Sequence, residues 1–168
     1  MGQNLRPTLE DKATVLAGLP DHPGLTAILR WNSDALVDAK FDRNELSLTI
    51  APDAIQMAAA TVQSAGYNFL EDLTAVDWLP SVPRFQVSYH ILSHKFKERI
   101  RLRVFVDEPD PTVESVTSVW PSANFYEREV FDLFGIRFAG HPNLRRIMMP
   151  DDWEGFPMRK DYPVEGYR

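Results

Sequence analysis

The chain has 168 residues, a net charge of −6 and no cysteine. Without cysteine it can form no disulfide, no thiolate-held zinc site and no cysteine-ligated iron–sulfur cluster. The acidic balance argues against a nucleic-acid partner, because domains that bind nucleic acid are usually basic. No run approaches the roughly 18 apolar residues of a membrane helix. Any membrane association is therefore expected to be indirect, through other proteins.

The first third of the chain predicts a short helix followed by a hairpin. Thr8 and Asp11 resemble a helix cap, which predicts a helix over Leu9–Ala17. Apolar and polar residues then alternate over 37–41 and again over 46–50, and Asp42, Arg43 and Asn44 between the runs predict a turn. Alternation of this kind is typical of two paired strands with one buried face.

The middle of the chain predicts one helix and then three extended segments. Pro52 and Gly66 stand where a helix commonly begins and ends, and apolar residues recur between them at helical spacing. The segment 67–78 has an extended pattern. Strict alternation over 85–91 and 100–106 predicts two strands, which the short loop between them can join as a hairpin.

Two more helices are predicted before the composition changes. Asp110 and Pro111 resemble a helix start, and the apolar residues after them recur at helical spacing. Asn124 and Glu127 resemble a capping box for a final helix, which Gly135 would end. The predicted fold is α/β of the α+β type, with helices packed on a mixed, mostly antiparallel sheet of about five strands.

A compact domain is predicted over residues 1–138, followed by an extended irregular tail over 139–168. The tail holds four prolines, which remove backbone donors and disfavour helix. It is nevertheless rich in large apolar residues, which disordered segments usually lack. Such a segment must bury these groups, so it either wraps its own domain or lies on a partner. We expect it to become ordered on docking.

Three carboxylates in the last predicted helix are candidates for acid–base or metal chemistry: Glu127, Glu129 and Asp132. A simpler interpretation is favoured. Glu127 would cap the helix, while Arg128 and Asp132, four residues apart, would pair on its solvated side. His141 is a weak candidate for a general base.

The polar side of one predicted strand is strongly basic, with Arg99, Arg101 and Arg103 at alternate positions. This face could receive an acidic partner. The favoured interpretation is the polar side of a half-exposed antiparallel sheet, because the other side of the strand is apolar.

The tail mixes charges of both signs with aromatic residues, which are the usual anchors of protein interfaces. Arg145, Arg146, Arg159 and Lys160 could equally form local ion pairs with the tail's own acidic residues. From the residues alone, an interface and an intramolecular wrap remain equally supported.

Four runs of sequence resemble a known family: 123–136, 140–147, 150–155 and 159–163. They are similar to the signature of the C subunits, the 30 kDa subunit family of respiratory NADH:quinone oxidoreductase (complex I). The resemblance covers about forty residues and is weaker through 67–78 and the two following strands. Phe156 stands where many relatives have histidine.

The resemblance implies a non-catalytic scaffold subunit in the hydrophilic arm of a proton-pumping enzyme. This chain would bind no cofactor, with FMN, iron–sulfur clusters and quinone held in partner subunits. The large D subunit is the main expected partner, together with the B and I subunits. The expected location is peripheral, on the cytoplasmic side of the bacterial inner membrane or the matrix side in an organelle.

Two alternatives stay open. Related subunits occur in ferredoxin-linked and hydrogenase complexes, whose electron donors other subunits decide. A remote alternative is a stand-alone metal-dependent hydrolase built on the three helix carboxylates and His141. For the scaffold, the residues expected at the partner interface are Glu127, Arg128, Glu129, His141, Arg145, Arg146, Asp151, Asp152, Trp153, Arg159, Lys160, Asp161 and Tyr162.

Overall fold

A computed structural model describes residues 10–165 of the chain. The elements in order are α1 (Lys12–Gly18), α2 (Pro23–Asn32), β1 (Leu36–Asp42), β2 (Glu45–Ile50), α3 (Ile55–Ala65), β3 (Phe69–Asp77), β4 (Phe85–Ser93), β5 (Glu98–Val106), β6 (Thr112–Glu114), α4 (Ala123–Phe134) and β7 (Arg137–Ala139). Short 3-10 turns precede β1 and α3. Within this described part, no helix has the length and apolarity to cross a bilayer.

The main sheet has five strands in the order β1-β2-β5-β4-β3, and only the β2–β5 pair is parallel. The predicted fold class is therefore confirmed. The apolar residues of the alternating strands share one face of this sheet. Residues from all four helices join them in a single core, whose largest fully buried side chains include Tyr67, Tyr89 and Phe85.

Local signals placed several element ends correctly. The turn between β1 and β2 holds Arg43 and Asn44 in the left-handed region, which suits a tight hairpin. Gly66 ends α3 with a φ of 116°, a conformation that costs glycine little. The β4–β5 hairpin also forms as predicted.

The N-terminal helix begins later than predicted. Helix α1 starts at Lys12, and Asp11 is its cap, with a carboxylate that accepts a hydrogen bond from the Thr14 backbone N–H at 2.8 Å. Thr8 and Leu9, which the prediction used, lie outside the described residues.

The helix predicted after Pro111 is wrong. Thr112–Glu114 forms strand β6, which pairs in parallel with β7 through Val113 and Phe138. Tight turns follow, so Val113, Val116 and Trp120 are buried as expected but in a different conformation. A three-residue strand depends on a distant partner, and apolar spacing alone cannot reveal it.

After β7 the chain has turns and bends but no helix or strand up to residue 165. We call residues 140–165 the strap. It lies against the end of α4 and one end of the main sheet, and these contacts form the candidate site.

Candidate functional site

Helix α4 buries the first carboxylate of the predicted acidic cluster. Glu127 is fully buried and accepts hydrogen bonds from Ser115 Oγ at 2.6 Å and from the Val116 N–H at 2.7 Å. The capping box is therefore wrong: Ser122 is the N-cap, with no side-chain cap bond, and Asn124 lies inside the helix. Burial raises the pKa of Glu127 to about 7, although the two hydrogen-bond donors act to lower it. Glu127 fixes α4 to the preceding turn.

The second buried carboxylate, Asp132, holds the strap. It accepts hydrogen bonds from the backbone N–H groups of Ile147–Met149 at 2.7–3.0 Å, and Arg146 Nη1 lies 2.6 Å from Oδ1. Burial acts to raise the pKa of Asp132, but these donors outweigh it and hold the pKa below its usual value. The predicted Arg128–Asp132 pair is wrong. We call the contact between Asp132 and the strap the first anchor.

Arg128 instead contacts the strap backbone. Its guanidinium donates to the carbonyl oxygens of Arg145 and Arg146 at 3.2 and 3.1 Å. Arg146 in turn donates to the carbonyls of Trp153 and Gly155, which closes a turn of the strap. Arginine suits this position because its fork can serve several acceptors at once.

A second anchor holds the far end of the strap. Arg84 and Asp77 form a buried ion pair at 2.8 Å, and Asp161 of the strap lies 2.6 Å from the same guanidinium. Glu108 also contacts Arg84, and the Lys160 N–H donates to Asp77. Burial acts to raise the pKa of Asp77, but Arg84 and the backbone donors hold it far below its usual value.

An aromatic ring between the two anchors packs against the end of α4. Phe156 has the guanidinium of Arg159 4.7 Å from its centroid and that of Arg146 5.5 Å from it. Arg159 also donates to the Phe134 carbonyl at 2.6 Å. Gly135 lies beneath the ring, and a Cβ built there would be 2.6 Å from it. Only glycine leaves room for this contact.

The ion pairs of the strap differ from the local pairs considered from the sequence. In the part of the chain that the structure describes, they join the strap to the domain: Arg146–Asp132, Asp161–Arg84 and Arg159–Glu108. The reason is that the domain offers buried carboxylates and a buried arginine that need partners. The strap's own acidic residues Asp151, Asp152 and Glu154 are exposed.

The thirteen residues predicted at the interface lie on α4 and the strap, and they differ in how far they are buried. Buried or half-buried are Glu127, Arg128, His141, Arg146, Arg159 and Tyr162, while exposed are Glu129, Arg145, Asp151, Asp152, Trp153, Lys160 and Asp161. Six of these residues (Glu127, Arg128, Arg146, Arg159, Lys160 and Asp161) hold α4 or the strap in place, so their charges are partly used within the chain. Their place at a partner interface stays a prediction.

On the outer side of the strap, the sequence prediction included Trp153 but missed Ile147, Met148 and Met158. Ile147, Met148, Trp153 and Met158 are exposed there, Met148 by 63% and Met158 by 55%. We call these four residues the apolar ridge. It also missed Arg84 and Asp77, which nothing in the local sequence distinguishes from an ordinary strand end.

The residues considered for a hydrolase do not meet. Glu127 and Asp132 occupy separate buried sites, each with its own hydrogen-bond donors, and Glu129 is exposed. His141 Nδ1 accepts the Asn143 N–H at 3.0 Å, and its Nε2 lies 3.2 Å from the Asn124 carbonyl. Within residues 10–165 no three histidine or acidic side chains group to hold a metal.

Comparison with known proteins gives a consistent result. The family model for the respiratory-chain NADH dehydrogenase 30 Kd subunit matches residues 48–168. The C subunit of the NADH-quinone oxidoreductase of Roseiflexus sp. (strain RS-1) is 48% identical over 134 residues, covering 78% of this chain and 77% of that protein. The protein of the same name from Geobacter sulfurreducens is 43% identical, covering 79% and 83%.

Two solved structures share the fold. A trypsin-resistant fragment (1-134) of Nqo5 is 34% identical with a TM-score of 0.64, covering 72% of this chain and 99% of that one. A chain of the membrane-bound sulfane sulfur reductase, an archaeal respiratory membrane complex, has a TM-score of 0.72 at 23% identity, with 83% of each covered, and shows the fold alone. Since the family model spans most of the sequence, the chain belongs to the family of the 30 kDa subunit of respiratory-chain NADH dehydrogenase.

Proposed function

We propose that this chain is a non-catalytic scaffold subunit in the hydrophilic arm of a proton-pumping NADH:quinone oxidoreductase. The observation that carries the proposal is the two-sided strap. Its inner side is held on the domain by charged anchors, while its outer side exposes the apolar ridge. The relatives named as C subunits of NADH-quinone oxidoreductase indicate the enzyme in which such a surface would bind a neighbouring subunit.

The apolar ridge has the character of a docking element. Four large apolar side chains are exposed on this one segment, and exposed apolar surface of this kind commonly marks a protein interface. The two anchors fix the strap at two places, within the ridge at Ile147–Met149 and after it at Asp161. Because its own domain already holds the strap, it would not need to become ordered on docking, in contrast to the sequence prediction. A segment fixed before binding loses little conformational entropy when it docks. The strap is thus suited to present the ridge to a neighbouring subunit.

In this role the chain supports electron transfer without carrying electrons. It has no cysteine for an iron–sulfur cluster. FMN, the clusters and quinone are then held by partner subunits, with the D subunit as the main neighbour and the B and I subunits beside it. The chain is peripheral, on the cytoplasmic side of the bacterial inner membrane.

The test is co-purification with the D subunit after the ridge has been made polar. Met148→Asp combined with Met158→Asp places two charges on the outer side and changes no side chain of either anchor. Burying charges against an apolar partner is costly, so we expect at least a tenfold loss of recovered complex. Met57→Asp is the control, because Met57 is similarly exposed, at 53%, but lies on α3.

Thermal unfolding of each purified variant shows whether the fold is kept. Folded ridge variants that still bind the D subunit as the parent does would overturn docking through the strap. If neither the parent nor any variant binds the D subunit while folded, the scaffold role itself is wrong.

A further inference from the structure

We propose that the uncovered face of the main sheet is a second docking surface. It would receive a partner segment that sets a carboxylate against Arg103 and a neighbouring large apolar side chain into an adjacent cleft. None of the strap residues takes part in this surface.

The helices leave this face open. Residues of α1, α2, α3 and α4 pack with the inward residues of the strands in one core. The outward residues of β5 remain partly or fully exposed: Arg99, Arg101, Arg103 and Phe105. In that open face Arg103 lies between Thr49 of β2 and Ser88 of β4, with Arg99 and Arg101 on the same strand. The basic row predicted from the sequence therefore lies near the centre of an open sheet.

The three arginines of the row are not equivalent. Arg99 pairs with Glu71 at 2.7 Å, and Arg101 pairs with Glu45. In the described part of the chain no carboxylate forms an ion pair with Arg103, whose Nη2 donates only to Thr49 Oγ1 at 3.0 Å. Its Nε–H is buried and has no acceptor. A buried donor without a partner is costly, and an incoming carboxylate would satisfy it.

A polar crevice of about 350 Å³ adjoins Arg103 on one side. Lys40, Arg43 and Arg101 line it together with Arg103, against only two carboxylates, so its walls carry an excess of positive charge. Burial lowers the pKa of Arg103, although the nearby carboxylate of Asp38 acts in the opposite direction. The crevice is thus complementary to an acidic group.

An apolar cleft of about 490 Å³ adjoins Arg103 on the other side. Val37, Ile50, Pro83 and Phe105 are among its walls, and Val37 is 58% exposed. An open cleft of this composition leaves apolar surface in contact with water, which burial against a partner would remove.

The two concavities together define the occupant. A nucleic acid or free phosphate would use the basic crevice but not the apolar cleft, and the chain as a whole is acidic. A protein segment with Asp or Glu beside a large apolar residue satisfies both. We therefore assign the surface to an acidic–apolar segment of a neighbouring subunit.

The absence of cysteine allows a direct test by single-thiol labelling. Val37→Cys places one maleimide-reactive group at the mouth of the cleft. Its labelling rate is measured by mass spectrometry of this chain, first in the isolated protein and then in the assembled enzyme. We expect labelling to be at least tenfold slower in the assembly, because the partner segment covers the cleft.

Arginine variants on the Val37→Cys background test the carboxylate contact. Arg103→Glu should restore fast labelling in the assembly, Arg103→Lys should restore it only in part, and Arg99→Glu, farther along the same strand and already paired, should leave protection unchanged. Thermal unfolding of the isolated variants confirms their folds. If the Val37→Cys thiol still labels slowly in the assembly when Arg103→Glu is present, the assignment of a carboxylate partner is wrong.

The assembly experiment rests on the proposed function, but the two can fail separately. If the chain is present in the enzyme and the Val37→Cys thiol labels as fast as in the isolated protein, the open-face surface alone is wrong. If the chain is absent from the purified enzyme, both proposals are wrong.

Discussion

Two carboxylates five residues apart on α4 show how strongly local contacts decide ionisation. Glu127 has two donors and no cation, so burial prevails and raises its pKa to about 7. Asp132 has three backbone donors and Arg146, so its pKa lies below the usual value despite complete burial. Glu127 therefore changes its protonation state near neutral pH, whereas the contacts of Asp132 favour its ionised form.

Glu127 gives a prediction on pH and stability. Its folded-state pKa of about 7 lies above the ordinary value of 4.5, so the folded chain holds a proton that the unfolded chain has released. Its stabilising effect is complete below about pH 4.5 and is lost as pH rises through about 7. Glu127→Gln removes this titration. Urea unfolding should show the parent losing up to about 3 kcal/mol relative to the variant across that window.

The quantity to compare is the difference in the free energy of unfolding between the parent and Glu127→Gln. Contributions from His90 and His141 are the same in both proteins and cancel in this difference. Their pKa values are lowered, mainly by burial, so they act in the opposite direction. A parent-minus-variant difference that is flat from about pH 5 to about pH 8 would contradict the raised pKa of Glu127.

At the scale of the element, one glycine at the end of α4 allows the strap to pack against this helix. Gly135 ends α4 with a φ of 74° and lets the Phe156 ring close over it. The conformation alone could be met by asparagine at some cost. Asparagine could not allow the contact with Phe156, because any Cβ at this position would overlap the ring.

Gly135→Ala and Gly140→Ala separate these two effects. Both glycines have a left-handed φ, but a Cβ at Gly140 would meet nothing within 4 Å. Each substitution should lose about 1–2 kcal/mol to backbone strain. Gly135→Ala should lose roughly 1–3 kcal/mol more, because Phe156 must move. Urea unfolding measures both, and equal losses would show that Phe156 is not held against Gly135.

At the scale of the whole molecule, the strap supplies hydrogen-bond and ion-pair partners to buried charged groups of the domain. Without it, Asp132 would lose its Arg146 partner and three backbone donors, and Arg84 would lose Asp161. The strap thus belongs to the stability of the domain as well as to its surface. A truncated chain is for this reason a poorer probe of docking than changes confined to the apolar ridge.

A chain ending at Phe138 should be markedly less stable. Removing one partner from a buried ion pair typically costs about 3–5 kcal/mol. We therefore expect the free energy of unfolding to fall by at least about 3 kcal/mol in urea titrations. A chain ending at Pro163 keeps both anchors and is the control. Equal stability of the two truncated chains would show that the anchors contribute nothing in the isolated protein.

The sequence by itself determined the elements whose signals are local. Alternation predicted four of the five strands of the main sheet, and the fifth, β3, was predicted only as an extended segment. Gly66 and Gly135 predicted two helix ends, because a left-handed φ depends on the residue itself and its neighbours. The motif-bearing runs also indicated the family, which the comparisons confirmed.

Only the tertiary structure decided which groups meet across the chain. Arg146 reaches Asp132 over 14 residues, whereas local spacing had suggested that Asp132 pairs with Arg128, four residues away. Arg84 reaches Asp161 over 77 residues, a pair that no local spacing suggested. The segment after Pro111 became a strand for the same reason, since its partner β7 lies beyond α4. A buried charge or a short strand takes whichever partner the folded chain brings near, and no local pattern in the sequence records that choice.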